Sequence, residues 1–251
     1  MIIDQQELLG LSQSTGFRSE MLEKVKQRVL EANLALVSHR LVVSTWGNVS
    51  ERDPYTGNIV IKPSGVPYEQ MQAEQMVVLD PRGRQLEGEL KPSSDAPTHL
   101  ELYRNFDSIG GMVHTHSPWA TSWAQAGKAI PVYGTTHADY FYGPVPCTRA
   151  LSRDEVEGEY EVNTAKVIVE TLKQLDCLSM PGVLVHGHGP FNWGKDASEA
   201  VHHALVLEEV AMMAFRTEVL GNKKPVDQFL LDKHYKRKHG DDAYYGQDSN
   251  I

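Results

Sequence analysis

Apolar positions recur at helical spacing from Met21 onward. Leu22, Val25, Val29, Ala32 and Leu36 mark one face of a helix in MLEKVKQRVLEANLALVSHR. The twenty residues before it, MIIDQQELLGLSQSTGFRSE, carry no such stripe. They are polar, poor in aromatics, and lack the basic start and apolar middle of a secretion signal. The expectation is a poorly ordered extension over 1–20, a single domain over 21–251, and a translation start at Met1 or Met21.

Beyond that helix, short apolar runs alternate with helical stripes. VVSTWGNVS and NIVIKPSG read as strands running into glycine-containing loops. MVVLDPRGRQLEGEL reads as strand, turn, strand about Pro81 and Gly83. APTHLELYRNF opens a helix with a proline in its first turn. SIGGMV reads as a buried strand, and SPWATSWAQAG as a helix start. RDEVEGEYEVNTAKVIVETLKQL is mostly helical, and GVLVHGHGPFNWG is a strand pair parted by glycines. DASEAVHHALVLEEVAMMAFRTEVLG is a long striped helix closed by Gly221, and PVDQFLLDKHYKRKHG is a last helix. No repeat, linker or low-complexity block interrupts the pattern. One α/β domain with a mixed or antiparallel sheet accounts for it.

GMVHTHSPWA places His114 and His116 where a strand runs into a helix. Residues i and i+2 of a strand share a face, so the two imidazoles sit side by side. VHGHG adds His186 and His188, making up to four imidazoles at the ends of two strands. A catalytic zinc takes three protein ligands and keeps one position open. Spacing alone leaves His186 and His188 as alternatives for the third. His39, His99, His202, His203 and His239 read as ordinary surface or core histidines.

Three loops, TWGNVS, KPSG and KPSSD, combine small or hydroxyl residues, in two of them with a lysine. Small residues let backbone N–H groups approach an anion, and hydroxyls and an ammonium complete a cradle. Together with candidate metal ligands they point to a phosphorylated substrate. No GxxxxGK[ST] run occurs, which disfavours a nucleoside triphosphate.

Charge and cysteine content then narrow the partners. Lys and Arg number 24 against 33 Asp and Glu, a net charge of −9. That disfavours nucleic acid and anionic membranes. Only Cys147 and Cys177 are present, in no metal-like spacing, which favours a reducing, cytoplasmic setting.

The segments TWGNVS, IKPSGV, KPSSDAPTH, GGMVHTHSPWAT, GTTHADYFYG, MPGVLVHGHGPFNWG and LLDKHYKRKHGDDAYYGQ run in order from about Met21 to Gln247. Together they resemble the L-ribulose-5-phosphate 4-epimerases, within the class II aldolase and adducin-head superfamily. The resemblance implies a three-layer α/β/α sandwich around a largely antiparallel central sheet. It also implies a homotetramer with active sites at subunit interfaces. It implies one Zn2+ per subunit, with Mn2+ or another divalent ion as an alternative, on His114, His116 and His188, with Asp95 at the metal. The phosphate cradle would be Asn48, Lys62, Ser64, Gly65, Ser93 and Ser94. Asp139 and Tyr245 would be the acid–base pair, Tyr245 coming from the neighbouring chain, with His234 supporting it.

The implied reaction interconverts L-ribulose 5-phosphate and D-xylulose 5-phosphate, as in arabinose catabolism. A carbinol centre remote from any acidic C–H cannot be inverted by simple deprotonation, but it can be inverted by breaking C3–C4, rotating the aldehyde fragment and remaking the bond. Zinc would serve as the Lewis acid for the enediolate. Two other readings stand beside it. A sugar-phosphate aldolase of the same fold would release the fragments, but the superfamily's aldolases carry Glu where this chain has Asp95. A non-catalytic adducin-head-like module would lack the metal ligands.

Overall fold

Helix α1 (Thr15–Ser38) buries Val25, Val29, Ala32 and Leu36, the stripe expected from the sequence. It begins at Thr15, six residues ahead of the expected start at Met21, so residues 15–20 are helical where a poorly ordered segment was expected. An apolar stripe reports only the part of a helix that packs. The backbone ladder runs on through polar residues, here supported by a Lys24–Glu20 pair at 2.8 Å, one turn apart. The computed structural model describes residues 15–221, 224–239 and 243–244. Residues 1–14, and with them most of the expected extension, lie outside that range.

The chain then forms β1 (Asn48–Arg52), β2 (Ile59–Ile61), β3 (Val77–Leu79) and β4 (Gln85–Glu87), followed by α2 (Ala96–Asn105). Next come β5 (Gly111–His114), α3 (Pro118–Gln125), α4 (Thr135–Ala138), α5 (Arg153–Glu157) and α6 (Tyr160–Leu172). The hairpin β6 (Gly182–Leu184) and β7 (Pro190–Gly194) leads to α7 (Ala197–Val219) and α8 (Gln228–Lys236). The strand expected in VVSTWGNVS starts only at Asn48. Val42 to Gly47 form a loop, in which Ser44 (φ 55°) and Gly47 (φ 78°) take left-handed conformations that no strand accommodates. The segment after Arg153 is mostly helical, as expected, in two helices broken at Gly158.

The seven strands make one sheet in the order β4-β3-β2-β1-β5-β7-β6, and every neighbouring pair is antiparallel. Both faces are covered. Ile59, Ile61, Met112, Phe191 and Trp193 pack on one side with Leu100 and Tyr103 of α2 and Ile168 and Leu172 of α6. On the other side Val49 and Val113 meet Leu36 of α1 and Ala200 and Ala204 of α7, and Val60 and Val78 meet Val25 and Val29. The alternation of β1 and β5 thus sends successive residues to opposite helical layers. The result is the expected three-layer mixed α/β fold around an antiparallel sheet. Removing a fully buried contributor such as Leu36 by an alanine substitution would cost about 2–5 kcal/mol. Among the described residues, no helix is long and apolar enough to cross a membrane.

Candidate metal and anion site

Strand register assembles the site. Asn48 lies opposite His114, and His114 lies opposite Phe191, so all three point to the α2 side of the sheet. β5 ends at His114, and the chain turns through Thr115 to bring His116 beside it. That turn is held from below by α7. The buried Glu208 carboxylate accepts from the Trp119 and Ala120 amides, at 2.8 and 2.9 Å, and so satisfies N–H groups at the start of α3 that have no partner within the helix.

His188 comes from the β6–β7 turn, where Gly187 has φ 72° and the Val185 amide bonds the Gly189 carbonyl at 2.9 Å. Gly189 lets this turn nest against the first. A Cβ added there would lie 2.6 Å from the Thr115 carbonyl oxygen and 3.3 Å from His116. Phe191 stacks on His114 with centroids 4.3 Å apart and planes within 19°, which fixes the ring.

The three imidazoles present one nitrogen each within 4.8 Å of one another. His114 Nδ1 is 2.9 Å from the Pro190 carbonyl oxygen, which can only accept, so the proton is on Nδ1 and the Nε2 lone pair faces inward. Nε2 of His116 is 3.1 Å from Nε2 of His114. Two nitrogens bound tetrahedrally at about 2.0–2.1 Å stand roughly 3.3 Å apart, so the donor set fits a single zinc-sized cation. Burial, reinforced by His114 and then His116, pushes His188 down to about 3. Burial and His114 also lower His116. Both therefore offer neutral imidazoles at neutral pH, the form that ligates a metal.

Asp95 occupies the N-cap position of α2, yet its side chain makes no capping bond. It accepts instead from Asn48 Nδ2 at 2.6 Å. Burial pushes the Asp95 carboxyl up. The electrostatic influence of the neighbouring His114 and His99 imidazoles and the Asn48 bond overcome this and hold it below the ordinary carboxylate range. Asn48 Oδ1 is buried without a partner beside it.

The loops KPSG and KPSSD lie side by side. Pro63 bridges Pro92, the Ser64 amide donates to the Lys91 carbonyl, and the Ser93 amide to the Lys62 carbonyl, both at 2.9 Å. Lys62 is almost wholly buried, at 2% exposure. Its ammonium donates to the Thr45 carbonyl at 3.1 Å and sits over the Tyr68 ring. Burial lowers its pKa and Asp95 opposes that shift. A buried ammonium flanked by serines and a glycine with φ 69° is a cradle suited to an anion.

One cavity of about 380 Å³ is lined by Asn48, Lys62, Ser64, Gly65, Ser93, Ser94, Asp95, His114, His116 and His188. Every metal and phosphate residue that the resemblance implied is there. Sequence reasoning missed Tyr160 and Glu161, which reach the cavity from the first turn of α6. Nothing local marks them, because only the packing of α6 on α2 brings them there. His186 does not line the cavity.

Asp139 and His234 do not line it either. They form a separate charged cluster where α8 meets α4. Asp139 accepts from His234 Nδ1 at 3.0 Å and from Arg237 at 2.9 and 2.6 Å, with Lys238 at 3.7 Å. Burial raises the Asp139 carboxyl, but Arg237, His234 and Lys238 together hold it below its ordinary value. Tyr245 lies outside the described residues.

Residues 27–215 match the family of the class II aldolase and adducin N-terminal domain, and the chain belongs to that family. Solved structures share the fold. An L-fuculose 1-phosphate aldolase superposes with a TM-score of 0.73 at 24% identity, covering 85% of this chain and 95% of the other. Its counterpart from Glaciozyma antarctica PI12 gives 0.71 at 18%, covering 88% and 84%. YgbL from Klebsiella pneumoniae, described as a putative aldolase/epimerase/decarboxylase, gives 0.67 at 21%, covering 84% and 98%.

Proposed function

We propose that the protein is a metal-dependent isomerase that interconverts L-ribulose 5-phosphate and D-xylulose 5-phosphate by breaking and remaking C3–C4. The observation that carries this reading is the meeting, in one cavity, of three converging imidazoles, a buried lysine among serines, and the short acid Asp95. His114, His116 and His188, with Asp95, would hold the ion, zinc first and manganese as the alternative. When bound, the ion supplies a Lewis acid for the charge that develops as C3–C4 breaks.

The remaining work belongs to the chain itself. Lys62, Asn48, Ser64, Gly65, Ser93 and Ser94 hold the phosphate while the aldehyde end turns over. Asn48 also fixes one oxygen of Asp95. The half-exposed Trp46 lies at the cavity wall beside His116 and bounds the reacting end. Asp139 and Tyr245 move the hydroxyl protons on the two faces of C4, with His234 holding Asp139. Since Asp139 does not line its own chain's cavity, it would serve a neighbouring copy in a homotetramer. The two cysteines are unpaired, in keeping with action in the cytoplasm.

The test is turnover of L-ribulose 5-phosphate, with D-xylulose 5-phosphate and free glycolaldehyde phosphate followed in the same sample, before and after chelation and zinc re-addition. Chelator-sensitive epimer with little free aldehyde supports the proposal. Aldehyde release without epimer would assign the chain to the aldolases, the activity its fold neighbours are named for. No turnover and no bound metal would leave the non-catalytic module.

A further inference from the structure

The metal reading leaves His188 with a second ring nitrogen to satisfy. Tyr160 Oη lies 3.4 Å from His188 Nδ1, and the two rings tilt toward each other with centroids 6.2 Å apart. Tyr160 also lines the cavity. An imidazole that binds an ion through Nε2 carries its proton on Nδ1 and must donate it. His114 meets that need with the Pro190 carbonyl. For His188 the phenol oxygen of Tyr160 is at hand.

The position of Tyr160 is built, not incidental. Ser152 and Glu155 close a reciprocal cap on α5, Gly158 breaks the helix, and α6 restarts at Tyr160. Asn163 ties the restart to α5 by donating to the Glu155 carbonyl at 3.0 Å. Thr98 of α2 donates to the Glu161 carbonyl at 2.8 Å and pins the first turn of α6 over the cavity. Two helices are thus fastened so that one phenol faces one imidazole.

We propose that Tyr160 is a positioning residue of the metal site. Its oxygen accepts the Nδ1 proton of His188, which sets the tautomer and the ring angle that turn Nε2 toward His114 and His116. The inference rests on reading the three imidazoles as a metal site, and it holds whichever reaction the site performs.

The test is zinc affinity of the full-length protein, read by competition with a chromophoric chelator, for wild type, Tyr160→Phe, His188→Gln and the double variant. Tyr160→Phe removes one oxygen and keeps the ring, and urea unfolding of each metal-free variant checks the fold. The expected result is zinc binding about 10- to 100-fold weaker in Tyr160→Phe, the range found for outer partners of ligating histidines. In the His188→Gln background the same change should have no further effect, since the phenol acts through that ring. Equal affinity of wild type and Tyr160→Phe would overturn the inference and leave the metal site standing. An equal loss in both backgrounds would overturn it too, by showing that Tyr160 acts apart from His188. Failure of the wild type itself to bind zinc would bring down the metal reading and this inference together.

Discussion

His114 and His116 hold their Nε2 atoms 3.1 Å apart, while Nδ1 of His114 is engaged by the Pro190 carbonyl. At that separation two lone pairs repel unless a proton or a cation lies between them. The third imidazole, His188, completes a set suited to the cation. Changing His116 to Asn should therefore remove zinc and turnover together. Metal content by mass spectrometry and epimer formation, run on one preparation, check this. Full activity in a variant without bound metal would sink the assignment.

Lys62 is the buried cation of the anion cradle. On the proposed function its phosphate contact would persist from substrate to product, so its loss would weaken ground state and transition state alike. Lys62→Met should raise KM about 10- to 100-fold, as expected for losing a hydrogen bond to a charged group, with kcat little changed. Steady-state kinetics at saturating zinc decide it. A fall confined to kcat would place Lys62 in the chemistry and out of the cradle.

Gly189 is where the two histidine-bearing turns touch. A Cβ there would stand 2.6 Å from a backbone oxygen, which no rotamer change can relieve. Gly189→Ala should separate the turns, costing about 1–3 kcal/mol of stability. Zinc affinity should fall with it, because His188 moves relative to His114 and His116. Urea unfolding and zinc competition together test this. Unchanged zinc affinity would show that the site tolerates that displacement.

Two buried histidines outside the metal set make folding sensitive to acid. Burial pushes His99 down to about 3 and His137 down to about 4, from an ordinary value of 6.5. His99 bonds Ser50 at 2.7 Å through Nδ1 and has no partner on Nε2. Below pH ~6.5 the unfolded chain takes up protons that the folded chain refuses. Their contribution is thus whole above that pH and is lost as pH falls toward the folded values. Each group steepens the loss by up to about 1.4 kcal/mol per pH unit. Urea midpoints of metal-free protein between pH 7 and pH 5 should fall, and His99→Gln should make the fall shallower. A slope untouched by that change would mean that His99 titrates normally in the fold.

Much of this architecture was legible along the chain. The stripe of Val25, Val29, Ala32 and Leu36 marked the packed face of α1, and Pro81 with Gly83 marked the β3–β4 turn, because both patterns are local. Where local patterns failed, backbone conformation was the reason. Val42 and Val43 look like strand residues, but the left-handed Ser44 and Gly47 hold that stretch as a loop. The helical residues 15–20 carry no apolar stripe, since that end of α1 is polar.

The same division runs through the site. Residue types and spacing alone marked the paired histidines and the two KPS loops, and the resemblance added the acid Asp95, because ligand and cradle chemistry depends on which side chains are present. Their assembly was decided only in three dimensions. Antiparallel register set Asn48, His114 and Phe191 in one row. Close approach at Gly189 brought His188, not His186, to the other imidazoles. The packing of α6 on α2 delivered Tyr160, which lies 28 positions from His188 and 46 from His114 and has no local signature. Contacts between residues so far apart are set by strand pairing and helix packing, and no window of sequence contains them.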